Sequence, residues 1–252
     1  MSLPTRMFRK ALRSIGYDLV PRYHSAATFR SDFYQRHNSR RLEHLAGLRL
    51  PVAGKSVLEV GAGIGDHSHY YIDRGCPTTI TDVREEHVQS LRRRYPDQRV
   101  LSLDLDHPTE IAGSPFDVIH CYGVLYHVTD PGQALEYLAR SCREMLLLET
   151  CVSFGSDLGI HPVVERAALP IAAHSGRGCR PTRPWLFDTL HRLFAHVYVP
   201  RTQPAHPEFP LDWTAPNEHK APHQRAVFIA ARAPIDNELL STSLEMQQLP
   251  QI

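Results

Sequence analysis

The chain has 252 residues, 42% hydrophobic and 22% charged, enough for one generous α/β domain and inconsistent with a wholly disordered polymer. No apolar run approaches the about 18 residues of a membrane span, and no apolar leader core follows Met1, so neither a transmembrane segment nor a secretory signal is expected. The net charge of +1 argues against a chain that binds nucleic acid along its whole length, although residues 1–50 hold ten Lys/Arg against Asp18, Asp32 and Glu43.

The elements follow in chain order. Thr5 to Ile15 is basic and weakly amphipathic, with Leu3, Met7, Leu12 and Ile15 near one helical face. It reads as a solvated arm, a membrane-surface helix or part of an Arg-rich transit peptide. Phe33 to Leu48 predicts a helix stopped by Pro51 and Gly54, packed on a sheet edge or closing over a pocket. Then the rhythm changes. SVLEVGAG is a short apolar run ending in glycines, and DHSHYYIDRG predicts a helix closed by Gly75. PTTITD, RVLSLD, FDVIHCY and MLLLETCV read as strands, with REEHVQSLRRRYP and PGQALEYLARSCREM as helices between them. Such alternation is the pattern of a parallel sheet covered by helices on both faces. Residues 155–181 read as loop, WLFDTLHRLF as helix, and HVYVP and RAVFIAAR as the last strands. The proline-rich connection 200–224 is too long for a hairpin and, with 155–181, is expected to form lids. The organisation expected is an arm and helical cap over 1–50, an α/β domain over 51–233 and a tail over 234–252 that is frayed or used in oligomer contacts. Five cysteines, an odd count with no C-x-x-C pair, predict buried free thiols and a reducing, cytoplasmic compartment.

The strongest chemical signal is VLEVGAGIGDHS. Gly61, Gly63 and Gly65 fall in the turn between the first strand and the next helix, where glycines let backbone approach a ligand and helical N–H groups are unspent. Asp82 follows Gly61 by 21 residues at the end of the second strand, where an acid accepts two ribose hydroxyls. Asp104 closes the third strand, beside the backbone of Leu105, within reach of an adenine amino group. The alternative for each acid is capping of the next helix. A dinucleotide fold wants G-x-G-x-x-G, and Asp66 beside the loop would repel a pyrophosphate. No G-K-[ST] follows the loop, so kinase and ATPase readings fail.

These residues resemble the class I S-adenosylmethionine-dependent methyltransferase family over roughly Lys55 to Val152. Glu59 matches the family's first-strand acid, which helps hold the methionine end of S-adenosyl-L-methionine. Gly61, Ala62, Gly63 and Gly65 match its glycine-rich loop, Asp82 with Val83 its ribose site, and Asp104 with Leu105 its adenine side. FDVIHCYGVLYHVTDPGQAL looks like its fourth strand and active-site loop, and GVLYH is similar to the loop of tRNA wobble-uridine carboxymethyl-transferring enzymes. The resemblance implies a Rossmann-like three-layer sandwich. Its sheet has seven mostly parallel strands with the last antiparallel, under an N-terminal helical cap.

An activated methyl donor leaves the protein to align an acceptor and, for oxygen, to supply a base. His127, in the loop after the fourth strand, is the first candidate, with pocket shaping as the alternative. Glu149, at the end of the fifth strand, is the second, orienting the acceptor or the histidine. Tyr122 and Tyr126 would wall the methyl channel or simply pack in the core. Arg180 and Arg183 would grip an anionic or sugar acceptor, and Trp185 or Trp213 would stack on its ring, unless these residues only build a structural loop. No metal site is expected: His67 and His69 point apart at a helix start, and Pro222 spoils helical spacing between His219 and His223. The function expected is O-methylation of a small molecule, a sugar or glycan, or a secondary metabolite. An RNA methyltransferase is the first rival and a non-catalytic cofactor-binding scaffold the second. An oligomer is compatible with all three.

Overall fold

The fold was obtained as a computed structural model, which describes residues 3–17 and 25–251. Of the basic arm, residues 1–2 and 18–24 therefore lie outside the described residues. The rest of it forms helix α1 (Leu3–Ser14), then α2 (Ser25–Phe29) and α3 (Asp32–Gly47), the last capped by Ser31, whose hydroxyl accepts from Tyr34 N–H.

The fully buried triplet β1 (Val57–Glu59) starts the sheet, followed by α4 (Ser68–Ile72), β2 (Thr78–Asp82), α5 (Glu85–Arg94), β3 (Arg99–Ser102) and β4 (Phe116–Tyr122). Helix α6 (Pro131–Arg140) begins where sequence logic puts it: Asp130 accepts from Gln133 N–H at 3.0 Å, and Pro131 occupies the first turn. It ends earlier than expected. Residues 142–145 belong instead to β5 (Cys142–Val152), because pairing with β4, Cys142 to Phe116 and Met145 to Val118, draws them into the sheet across a bulge.

The segment 155–181 is not plain loop. Strands β6 (Ile160–Val164) and β7 (Arg177–Pro181) pair antiparallel and carry residues 165–176 between them as a flap. Then follow α7 (Arg183–Leu193), β8 (His196–Pro200), β9 (Thr202–Gln203), β10 (Gln224–Ala231), β11 (Leu240–Ser241) and β12 (Leu249–Pro250).

The main sheet runs β3-β2-β1-β4-β5-β10-β8-β11. Strands β1 to β5 pair in parallel, and β10 lies antiparallel between β5 and β8, as the family resemblance implies. There are eight strands rather than seven. The tail supplies the extra edge strand β11 against β8, buries Leu240 and Gln248, and pairs β12 with β9. It is docked, not frayed. One face of the sheet is covered by α6 and α7 through Leu135, Leu138, Leu186 and Leu190; the other by α3 and α4 through Leu45, Tyr70 and Tyr71. All five cysteines are buried and unpaired. Among the described residues no helix is long and apolar enough to cross a membrane.

Candidate functional site

The strand order reverses between β1 and β4, and a crevice outside the carboxyl ends of strands is expected there. The structure has a cavity of about 600 Å³ at that place. Glu59, Gly61, Ala62, Gly63, Asp82, Val83, Asp104, Leu105, Tyr122, Tyr126, His127 and Arg180 all line it. Helix α3 contributes Tyr34, His37, Asn38 and Arg41, the flap contributes Glu165 and Ile171, and the connection 200–224 contributes Glu208 and His223.

The glycine turn is built around Asp82. Gly63, at φ +59°, donates its N–H to Asp82 Oδ2 at 2.8 Å, while Arg84 N–H and the His87 ring meet Oδ1 at 2.9 and 3.0 Å. A Cβ at Gly63 would press on the Phe29 ring at 3.1 Å, and one at Gly61 would collide with Val124. Gly65 serves a different end. It does not line the cavity; a Cβ there would strike Leu91 and Tyr95, so its role is close packing of α5 on the loop.

Glu59 is buried and accepts from Ser68 Oγ at 2.5 Å; burial pushes its carboxyl up to about 7. Asp104 accepts from Asp106 N–H at 2.9 Å. Behind the loop a neutral polar chain runs from Tyr71 OH to His120 Nδ1 (2.8 Å) and from His120 Nε2 to His67 Nδ1 (3.1 Å). Burial depresses both imidazoles, His120 to about 3.

In the loop after β4, His127 Nδ1 lies 2.8 Å from Glu165 Oε2, which also accepts from Ala173 N–H at 2.7 Å. Burial lowers the His127 pKa, and Glu165 opposes that shift. Burial raises Glu165, but His127, Ala173 N–H and Arg180 outweigh it and hold the carboxyl at about 2. Arg180 lies over the Tyr126 ring at 4.9 Å.

Several expected site residues lie elsewhere. Glu149 is fully buried, off the cavity wall, and each oxygen is taken by a guanidinium: Arg41 Nη1 at 2.9 Å and Arg225 Nη1 at 3.0 Å. Burial would raise its pKa, yet the two arginines hold it low, so it has no basicity to offer. Arg183 stacks on Trp213 at 4.0 Å and donates to the Glu245 carbonyl, while Trp213 Nε1 donates to Gln248 Oε1 at 2.9 Å. Both residues fasten the tail, and Trp185 packs against the core beside α6 and α7. None of the three lines the cavity.

The sequence reading missed Glu165, Asn38, Arg41, Glu208 and Arg225. Arg225 is buried at the start of β10, donating through Nε to Glu208 Oε2 at 2.7 Å and through Nη2 to Tyr126 OH at 3.3 Å. A charge opening the apolar run RAVFIAA was the one available signal.

Comparison with known proteins bears on the domain and the fold. Residues 58–144 match the family described as "Methyltransferase domain". Ubiquinone biosynthesis O-methyltransferase of Xanthomonas axonopodis pv. citri (strain 306) is 36% identical over 115 residues, covering 43% of this chain and 45% of that protein. tRNA U34 carboxymethyltransferase of Haemophilus influenzae (strain PittGG) is 29% identical over 157 residues, covering 58% and 45%. Among solved structures, the N-terminal domain of EvdMO1, crystallised with SAH and D-fucose, superposes with a TM-score of 0.60 at 17% identity, covering 91% of this chain and 97% of that one. Residues 58–144 thus carry a methyltransferase domain, and the chain has the fold of S-adenosylmethionine-dependent methyltransferases. It spans less than half the length of the curated relatives it matches.

Proposed function

We propose that the protein transfers a methyl group from S-adenosylmethionine to a hydroxyl of a small molecule, of the phenolic or sugar class, held under the two lids. The observation that carries this reading is the His127–Glu165 pair, which lines the same cavity as Glu59, Gly63 and Asp82. The residues fit the donor: a turn with no room for Cβ atoms, an acid for an ammonium at Glu59, and an acid for ribose hydroxyls at Asp82. When bound, S-adenosylmethionine supplies a methyl on a sulfonium, and the sulfur keeps the electron pair of the broken C–S bond as a neutral thioether. The chain's own residues do the rest. The neutral His127 imidazole takes the hydroxyl proton as the O–C bond forms, and Glu165 fixes the tautomer and stabilises the cation that results. Phe29, Tyr34 and the flap exclude water and hold the acceptor in line.

The test is incubation with isotopically methyl-labelled donor and a panel of phenols and sugars, read by mass. Label on a low-mass hydroxyl supports the reading. Label appearing only in RNA, with affinity that falls steeply with salt, would favour the RNA reading that the partial tRNA-enzyme match and the basic first fifty residues support.

A further inference from the structure

Opposite the glycine turn, helix α3 meets the proline-rich connection 204–223, and the residues that meet there are unlike ordinary packing groups. His37 comes from α3; His206 and Glu208 come from the segment His206-Pro207-Glu208. All three are buried, and one ligand atom from each lies within 4.8 Å of the others. His37 Nε2 stands 3.7 Å from Glu208 Oε2, too far for a hydrogen bond, and has no other partner. The His37 and His206 rings are 4.8 Å apart, inclined at 45°. An imidazole nitrogen buried without a partner bears its full desolvation penalty, and something must offset it.

We propose that His37, His206 and Glu208 bind one divalent transition-metal ion of the zinc class. Bonds of about 2.1 Å to a tetrahedral ion put neighbouring ligand atoms about 3.4 Å apart, close to the 3.7 Å between His37 and Glu208. Two imidazoles and one carboxylate suit zinc and its neighbours, whereas magnesium and calcium want a shell of oxygens.

The loop is held in place to do this. Glu208 accepts Arg225 N–H on its carbonyl at 2.8 Å and Arg225 Nε on its carboxylate at 2.7 Å, so β10 orients the ligand from behind. Arg225 shares its charge with Glu149, which also pairs with Arg41; two arginines and two glutamates balance before an ion enters. His37 and Glu208 line the main cavity, while His206 faces the shallow pocket beside it. Three protein ligands leave a fourth position on the cavity side, where an acceptor oxygen would bind and become more acidic. That last role rests on the methyl-transfer reading; the ion site does not.

The test is equilibrium dialysis of the full chain, stripped with a chelator, against Zn(II), with Co(II) absorption as a probe of ligand geometry. One equivalent bound, with affinity reduced beyond the about 10–100-fold typical of an outer-shell loss in both His37→Gln and His206→Gln, supports the site. Histidine variants are used because Glu208 also anchors Arg225. Binding of S-adenosylhomocysteine by the same variants shows that they fold. Substoichiometric zinc, or equal zinc affinity in either variant, overturns the proposal and leaves methyl transfer standing. Zinc binding in a chain that fails to bind S-adenosylhomocysteine would do the reverse.

Discussion

His127 Nδ1 lies 2.8 Å from Glu165 Oε2, a pairing that commits one ring nitrogen to an orienting carboxylate and leaves Nε2 for proton transfer. The two residues are 38 apart in sequence, one on the 3-10 turn Leu125–His127 and the other just past β6. In the proposed reaction they serve as base and orienter, the arrangement that general-base catalysis requires.

His127→Ala is expected to lower kcat by roughly 10²–10⁴ with little change in cofactor affinity. Activity of the parent enzyme should rise with pH through the His127 pKa, which burial places below the usual imidazole range. Glu165 raises that pKa, so Glu165→Gln should shift the limb to lower pH as well as reduce kcat. A pH–rate profile of the two variants decides it; a limb unchanged in His127→Ala removes the base assignment.

Glu149→Gln should act on stability, not on the pH limb. Removing its charge leaves the buried Arg41 and Arg225 short of a counter-ion, a loss of about 3–5 kcal/mol in comparable buried pairs. Urea unfolding measures the first effect and the pH–rate profile the second.

Glu59→Gln is expected to stabilise the ligand-free protein above neutrality while weakening cofactor binding. The folded-state pKa is raised from 4.5 to about 7, so the native state binds more protons between those values. The stability it carries is fully present below pH 4.5 and is lost as pH rises through about 7. The variant's advantage, about 3 kcal/mol at most, should therefore appear above pH 7 and vanish below 4.5 in thermal melts across that range.

Arg183→Ala should cost about 1–3 kcal/mol of stability by freeing Trp213 and the tail, and leave the acceptor KM unchanged. A changed KM at constant stability would return Arg183 to the substrate site.

What could be read from the sequence were the parts that repeat locally. Gly63 and Asp82 mark strand ends, and the fold places them in hydrogen-bond contact because β1 and β2 are neighbours in the sheet. The pairs that complete the site join distant segments: His127 and Glu165 are 38 residues apart, Tyr126 and Arg225 are 99 apart, and no periodicity links them. The end of α6 failed for a different reason. CREM fits a helix or a strand equally well, and only the pairing partner on β4 decides. Trp213 and Arg183 looked like ligand-binding groups because aromatic and basic residues serve tail docking as well as substrate contact.

The most direct measurement is calorimetry with S-adenosylhomocysteine on the parent chain and on Asp82→Ala. Asp82 accepts Gly63 N–H at 2.8 Å and lines the cavity proposed to take the ribose hydroxyls. The parent should bind one equivalent, and the variant, folded by circular dichroism, should bind tenfold or more weakly, a loss of about 1.5–3 kcal/mol. No binding by the parent, or the same affinity in Asp82→Ala, would contradict the assignment of this cavity to the methyl donor.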